Sequence, residues 1–375
     1  MASTQRERPD MNSISDHPAR WLARLAALFA VTCLAACASP SGSLTLKDQG
    51  SMFIGGRTHQ SDQLTAGDTG LRGSSNQGTI TVDQMYVSYQ VPVGTGQHVP
   101  VAMVHGCCLT TKSYEMTPDG RMGWNEYFLR KGRAVYLVEQ VSRARSGFDA
   151  TVINKVKLGK LPPSALPNVA MASHEASWTL FRIGPVPGQA FAGSQFPVEA
   201  AQEFYKQEIP DFNALLPTPN PTLTNLSALA GKLGGVILMG HSQSGFYPQE
   251  AALLNPAGIR GMVSLDTAGC SDTLKPEQLA VLARIPMLIV YGDNLEGVPQ
   301  FAAFWKESFE RCNRFVAQVN SAGGDATMLS LPARGIRGNT HMLMMDRNNL
   351  QIADLILAWA DGHVDSTRDR PRASR

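Results

Sequence analysis

Residues 235–245 read GVILMGHSQSG and combine an apolar run, a turn of small residues and the start of a helical pattern. An apolar strand that leads through a tight turn around serine into a helix presents that serine at the edge of an α/β sheet. Gly240 stands two residues before Ser242, where the strand and helix backbones come close, and Ser244 and Gly245 follow. The segment therefore predicts an α/β fold with Ser242 as a nucleophile, the alternative being a serine that only caps a helix.

Short apolar runs rich in β-branched residues recur along the chain and alternate with helix-like segments. Such runs indicate strands buried on both faces, in a mainly parallel central sheet covered by helices. Because the first runs are joined by short loops, we expect the sheet to open with an antiparallel pair. Predicted strands cover residues 51–55, 79–93, 99–104, 134–139, 235–239, 261–265, 286–291 and 327–331. Predicted helices cover residues 124–131, 197–207, 243–254, 275–282, 301–311 and 348–363.

Residues 148–230 interrupt this alternation, since they are rich in proline and carry aromatic residues such as Trp178 and Phe181. We expect this segment to be a lid inserted after the middle of the sheet. The predicted organisation is a signal peptide at 1–36, an N-terminal tether at 37–50, an α/β domain at 51–365 that contains the lid, and a polar tail at 366–375.

The N-terminal region has the pattern of an export signal. Arg20 and Arg24 precede an apolar run at residues 25–36 that is too short to cross a bilayer. The run ends in LAAC at Cys37, which resembles a lipobox and predicts lipidation of Cys37 and anchoring to a membrane; cleavage after Ala38 is the alternative. We expect an exported protein, in the periplasm or at the outer membrane as a lipoprotein, or secreted.

Charge and cysteine content exclude several classes of protein. With 33 basic and 31 acidic residues and no basic stripe, the chain does not have the composition of a nucleic-acid-binding protein. The 43% of hydrophobic residues is enough for a packed core. The four cysteines beyond Cys37, which are Cys107, Cys108, Cys270 and Cys312, do not have zinc-site spacing, so we expect no metal.

The order of residues along the chain indicates the base. In folds with this strand–turn–helix unit the acid and the histidine follow the nucleophile, and only His341 and His363 lie after Ser242. His363 ends the last predicted helix, where we expect it to face solvent. His341 lies in GNTH at residues 338–341, between the last strand and the last helix, and is the predicted base.

A second strand–loop segment supplies candidate donors for an oxyanion. Residues 101–108 read VAMVHGCC, an apolar run that ends in His-Gly upstream of Ser242. Loops in this position donate one backbone N–H to the oxyanion, and the residue after the nucleophile donates the other. The predicted donors are the N–H groups of Cys107 and Gln243, whereas His105 is expected to fix the loop.

Five segments together resemble one subfamily of α/β-hydrolase fold esterases, exported bacterial serine esterases with two adjacent cysteines in the oxyanion loop. The segments are HGCCLT at 105–110, TPDGRMGW at 117–124, GHSQ at 240–243, GNTH at 338–341 and DRNN at 346–349. The resemblance runs from about residue 50 to about residue 362. It implies an α/β-hydrolase fold and a carboxylic ester hydrolase that acts on a small-molecule ester without a cofactor.

The resemblance also implies a disulfide between Cys107 and Cys108 and a triad acid after the sixth strand. The matching residue is Asp266, where the subfamily carries glutamate. Asp293 is the alternative acid, because it follows the apolar run at 286–291, the more common place in this fold. Pairing of Cys270 with Cys312 stays open, as do a thioesterase, a peptidase and a non-catalytic binding protein of the same fold.

Overall fold

The computed structural model describes residues 42–94, 98–212, 216 and 218–367. The predicted signal peptide, Cys37 and residues 368–375 of the predicted tail lie outside these residues. One eight-stranded sheet organises the described chain, with the strand order β1-β2-β4-β3-β5-β6-β7-β8. The strands are β1 (Leu46–Ser61), β2 (Gly78–Pro92), β3 (Val101–Val104), β4 (Val135–Val138), β5 (Val236–His241), β6 (Ile259–Leu265), β7 (Met287–Tyr291) and β8 (Ala326–Ser330).

The sheet is antiparallel at its start and parallel elsewhere, as predicted. β1 pairs with β2 and β2 pairs with β4 in antiparallel fashion, and the pairs from β4 to β8 are all parallel. β1 begins at Leu46, inside the predicted tether, and is much longer than the predicted strand at 51–55. The antiparallel pair that begins the sheet is β1 with β2. The strands β2 and β3 follow one another along the chain but do not pair, because β4 lies between them.

Ten α-helices lie within the described ranges. They are α1 (Lys112–Glu115), α2 (Trp124–Arg130), α3 (Thr151–Lys157), α4 (His174–Leu180), α5 (Ala201–Tyr205), α6 (Pro221–Leu233), α7 (Tyr247–Leu254), α8 (Pro276–Leu282), α9 (Pro299–Ser321) and α10 (Asn349–His363). None of them has both the length and the apolar composition that a bilayer-spanning helix requires.

Alternating side chains of the central strands fill two cores, one on each face of the sheet. On β5, Ile237 and Met239 pack in one core, while Val236 and Leu238 pack in the other. This is the burial pattern expected of a strand covered on both faces. Because the strands from β3 to β8 are all parallel to one another, they end at one edge of the sheet, and the residues that follow them meet there.

The segment predicted as a lid contains two kinds of structure. Its last helix, α6, buries Leu226 and Leu229 in the core beside strand residues, so it covers the sheet rather than the sheet edge. The part before α6, residues 148–220, carries the short helices α3, α4 and α5, and is called the insertion below.

Candidate active site

Ser242 lies on a sharp turn directly after β5. Its φ angle of 58° is in the left-handed region, which is unfavourable for a residue with a side chain. The turn needs glycine at position 240, because a Cβ there would lie 1.9 Å from the Ser244 backbone oxygen. Ser244, which stands where the usual pattern has glycine, accepts a hydrogen bond from the His241 N–H at 3.0 Å and lies 3.0 Å from the Val104 carbonyl oxygen. The serine thus ties the turn to β3.

His341 and Asp266 meet at the same sheet edge. The Nδ1 of His341 lies 3.2 Å from the Oδ1 of Asp266, and both side chains are fully buried. Burial lowers the pKa of His341, and contact with Asp266 opposes this effect without cancelling it. His341 is therefore uncharged at neutral pH, and its Nε2 has no hydrogen-bond partner among the described residues. A neutral imidazole with an available nitrogen can accept a proton.

The second oxygen of Asp266 is also bound. Its Oδ2 accepts hydrogen bonds from Arg182 Nη2 at 2.6 Å and from the Gly292 N–H at 2.9 Å. Burial alone would raise the pKa of Asp266, but the Arg182 charge and the contact with His341 outweigh it and hold that pKa below its usual range. Asp266 is thus an ionised carboxylate inside the protein.

Asp293, the alternative acid, has a different set of contacts. Its Oδ2 accepts from the Gly338 N–H at 2.9 Å, and its Oδ1 accepts from the Asn294 N–H at 2.8 Å. Its backbone oxygen accepts from Arg182 Nε at 2.9 Å. Both carboxylate oxygens of Asp293 therefore bind loop backbone, whereas Asp266 is the carboxylate beside His341.

The backbone of His341 is fixed from two sides. Its carbonyl lies 2.8 Å from the Nε2 of His241, and its N–H donates to the Phe181 carbonyl at 2.9 Å. Burial lowers the pKa of His241 to about 3, so His241 is neutral and its Nε2–H is the donor. The Phe181 ring stacks on the His341 ring at 5.1 Å between centroids, and the Trp305 ring lies at 4.8 Å.

The loop that carries His341 is held by the segments at 117–124 and 346–349, for which the sequence predicted no role. Asp346 accepts hydrogen bonds from the Thr340 N–H at 2.8 Å and from the Thr340 hydroxyl at 2.8 Å. The Arg121 guanidinium donates to the carbonyls of Met345 and Asp346, and Trp124 Nε1 donates to the carbonyl of the neighbouring helix residue Asn349. The segment at 117–124 therefore supports the segment at 345–349, which supports Thr340 and His341.

Ser242 and His341 line the same cavity, which has a volume of about 360 Å³. Its walls are mainly apolar, and His341 is its one ionisable group besides the two thiols. The insertion supplies Met171, Ala172, Ala176, Ser177, Leu180 and Phe181, and the rest of the lining is Cys107, Cys108, Gln243, Phe246, Ala268, Phe304 and Trp305.

The two predicted oxyanion donors, Cys107 and Gln243, both line this cavity beside Ser242. The Gln243 side chain donates to Asp211 Oδ2 at 2.9 Å and accepts from Arg143 Nη2 at 3.3 Å, and Arg143 also pairs with Asp211. Asp211 belongs to the insertion and is buried with Arg143. A buried ion pair thus fixes the residue that follows Ser242.

The predicted bridge between Cys107 and Cys108 is not formed in the structure. Both residues are thiols, with their sulfur atoms 2.7 Å apart. Neighbouring Cα atoms lie about 3.8 Å apart, closer than the roughly 4.4–6.8 Å of ordinary disulfides, so a bridge here requires a distorted peptide bond. Cys270 and Cys312, whose pairing the sequence left open, form a disulfide with Cα atoms 4.9 Å apart.

The other two histidines of the sequence analysis do not line the cavity. His105 is buried behind it, 3.2 Å from a Glu139 oxygen, and its carbonyl accepts from the Gln140 side chain. His363 lies at the far end of α10, 2.8 Å from an Asp325 oxygen. Its side chain is partly exposed there, in agreement with the expectation that it faces solvent.

Two groups of side chains within the described ranges could each offer three ligand atoms to a metal ion. They are Cys107 with Cys108 and Asp211, and His98 with Asp361 and Asp365. In each group an arginine already binds the carboxylates, Arg143 in the first and Arg133 in the second. These charges compete with a cation, so neither group has the donor set of a built metal site.

No sequence pattern identifies Arg182, Asp211 or Arg143 as residues of the site. Arg182 and Asp211 lie in the insertion, where no hydrophobic period reveals which side chains turn inward. A buried charge is recognisable only from its partner, and the partners Asp266 and Arg143 are 84 and 68 residues away.

A solved protein described as "The Atomic Resolution Structure of a Novel Bacterial Esterase" is 48% identical in sequence, with a TM-score of 0.81, over 87% of this chain and 99% of that chain. A "Probable secreted lipase phiG" from Fungal sp. (strain ATCC 74256) is 25% identical over an alignment of 324 positions, which covers 73% of this chain and 85% of the lipase. No family model matches the chain. At this identity and coverage, the chain belongs to the family of the bacterial esterase, with the α/β-hydrolase fold.

Proposed function

We propose that the protein is a serine esterase, a carboxylic ester hydrolase in which Ser242 is the nucleophile, His341 the general base and Asp266 the acid that orients His341. The observation that carries this proposal is the shared cavity: Ser242, at a φ of 58°, lines it together with a neutral His341 whose far nitrogen contacts a buried carboxylate. Family membership supports the hydrolase class.

The proposed reaction has two steps, acylation of Ser242 and hydrolysis of the acyl-enzyme. The Ser242 hydroxyl oxygen attacks the ester carbonyl carbon while His341 Nε2 accepts the hydroxyl proton. The N–H groups of Cys107 and Gln243 bind the oxyanion of the tetrahedral intermediate. When this collapses, the C–O bond breaks and His341 returns the proton to the leaving alkoxide, which departs as an alcohol. Water, deprotonated by His341, then attacks the acyl-enzyme and releases the acid and free Ser242.

The cavity suggests neutral esters with short apolar acyl groups as substrates. Its lining carries no lysine, arginine, aspartate or glutamate, so a charged acyl group would lose hydration without gaining a partner. Its volume of about 360 Å³ is near the lower end for small-molecule sites. In a panel of p-nitrophenyl esters, kcat/KM should be highest for short acyl chains and should fall for long or charged ones.

We also propose that the protein is exported, since the sequence has a signal-peptide pattern and the fungal relative is described as secreted. Lipidation of Cys37 would anchor it to a membrane. Cys37→Ala should then move the protein from the membrane fraction to the soluble fraction; an unchanged distribution would favour cleavage after Ala38.

The function is tested most simply by removing the nucleophile. Ser242→Ala should lower kcat for p-nitrophenyl esters about 10⁴-fold or more while leaving the fold intact, because the hydroxyl that is proposed to form the acyl-enzyme is then missing. Ser321→Ala, at an exposed serine at the end of α9, is the matched control and should keep full activity. Near-full turnover in Ser242→Ala would exclude the proposal.

A further inference from the structure

Arg182 is a buried cation that the proposed reaction does not use. Its side chain is fully buried, and it comes from the insertion, two residues after α4. Its φ of 56° lies in the left-handed region, which is uncommon for a long side chain. A buried, unfavourably placed arginine is expected only where its surroundings hold it firmly.

Three groups from different parts of the fold contact the guanidinium of Arg182. Nη2 donates to Asp266 Oδ2 at 2.6 Å, and Nε donates to the Asp293 carbonyl at 2.9 Å. The central carbon lies 4.5 Å from the centre of the Trp305 ring, a cation–π contact. The guanidinium therefore joins the loops after β6 and β7 to helix α9.

The same stretch of the insertion also holds His341. Phe181, next to Arg182, accepts the His341 N–H and stacks on its ring, and Leu180 accepts the Trp305 indole N–H at 3.2 Å. Three consecutive residues thus contact the proposed base, the proposed acid and Trp305.

We propose that Arg182 is a positioning residue that fixes the Asp266 carboxylate against His341 and adds a buried positive charge that opposes protonation of His341. The inference rests on the proposed function. It extends the triad by a residue of the insertion, so the insertion completes the catalytic arrangement as well as covering the cavity.

The charged and titratable groups around His341 set the sign of the effect. Asp266, after β6, favours the protonated imidazole, whereas Arg182, from the insertion, disfavours it. His241, at the end of β5, is neutral, and Asp346, on the same loop as His341, binds Thr340. Removing Arg182 leaves Asp266 unopposed, so the pKa of His341 should rise and the base should become protonated at a higher pH.

The test measures the rate at which a fluorophosphonate labels Ser242 as a function of pH. In Arg182→Gln the midpoint of the acid limb should move upward by roughly 1 pH unit. The plateau rate should fall on the order of tenfold, because the acid is no longer held in place. Arg133→Gln is the matched control: Arg133 is equally buried and pairs with the carboxylates of Asp361 and Asp365 outside the cavity. It should keep the midpoint and the plateau.

Arg182→Lys separates charge from geometry and serves if Arg182→Gln does not fold. A lysine keeps the charge but cannot donate to Asp266 and Asp293 at once while stacking on Trp305. The midpoint should therefore stay at the wild-type pH while the plateau falls. A folded Arg182→Gln with wild-type midpoint and plateau, or an Arg182→Lys with the wild-type plateau, would overturn the inference. Absence of Ser242 labelling in the wild type would instead refute the proposed function.

Discussion

Asp266 lies beside the His341 ring, and this distinguishes it from Asp293, whose carboxylate oxygens both bind loop backbone. One oxygen of Asp266 faces His341 Nδ1, and the other binds Arg182 and the Gly292 N–H. A carboxylate held in this way orients an imidazole and stabilises its protonated form during the reaction.

A pair of matched substitutions tests which carboxylate acts. Asp266→Asn should reduce kcat on the order of 10⁴-fold, because an amide cannot stabilise the imidazolium and favours the wrong tautomer. Asp293→Asn should cost about tenfold or less, since it alters only loop contacts. Both variants are compared in one ester assay after circular dichroism confirms folding; the opposite order of losses would assign the acid to Asp293.

These residues show which parts of the site can be predicted from the sequence. Ser242 and His341 follow from the strand–turn–helix pattern and from chain order, which reflect local structure. Asp266 came only from the family resemblance, because Asp266 and Asp293 both follow strands that end at the same sheet edge. Which carboxylate turns toward His341 depends on the paths of two loops and on Arg182, and no local pattern encodes these.

The loop between β8 and α10 is the element that presents His341, and Asp346 is its internal support. Burial raises the pKa of Asp346 to about 7, although three hydrogen bonds from Asn339 and Thr340 act in the opposite direction. An unfolded aspartate titrates near its ordinary value of about 3.9. Between these two values the folded protein holds a proton that the unfolded chain has lost.

The stability of the protein should therefore depend on Asp346. Its contribution is fully present below the unfolded pKa and is lost as pH rises through about 7. The wild type should therefore lose unfolding free energy between about pH 5 and about pH 8. In Asp346→Asn, whose side chain cannot titrate, this loss should be smaller by on the order of 2–4 kcal/mol. Urea unfolding at several pH values measures this; identical pH profiles in both proteins would show that Asp346 does not titrate in this range.

Elements with regular patterns were predictable and the insertion was not. The apolar runs placed the strands β2 to β8 within a few residues, and the strands from β3 to β8 each contribute side chains to the cores on both faces of the sheet. Helix α4, which lines the cavity, has seven residues and no clear apolar period. Its position is fixed by long-range contacts, such as the hydrogen bond from Trp305 to Leu180.

At the scale of the described chain, the disulfide between Cys270 and Cys312 ties the segment after Asp266 to helix α9, which also carries Trp305. The bridge closes a loop with a sequence separation of 42 residues. It thereby restricts the unfolded chain, which stabilises the folded state relative to it.

Removing this bridge should lower the stability of the whole domain. Cys270→Ala combined with Cys312→Ala should reduce the free energy of unfolding by about 2–4 kcal/mol, measured with denaturant under non-reducing conditions. Adding reductant should destabilise the wild type to a similar extent and leave the double variant unchanged. A wild-type denaturation midpoint in the double variant would contradict a stabilising role.

The most direct measurement for the central claim is the identity of the residue that becomes acylated. A p-nitrophenyl carbamate transfers a carbamoyl group that leaves the enzyme slowly, so intact mass and peptide mapping can locate it. The account predicts one carbamoyl group per chain, on Ser242, with esterase activity lost in proportion to labelling and no labelling in Ser242→Ala. Modification of another residue in step with the loss of activity, or full ester hydrolysis by protein modified at Ser242, would contradict it.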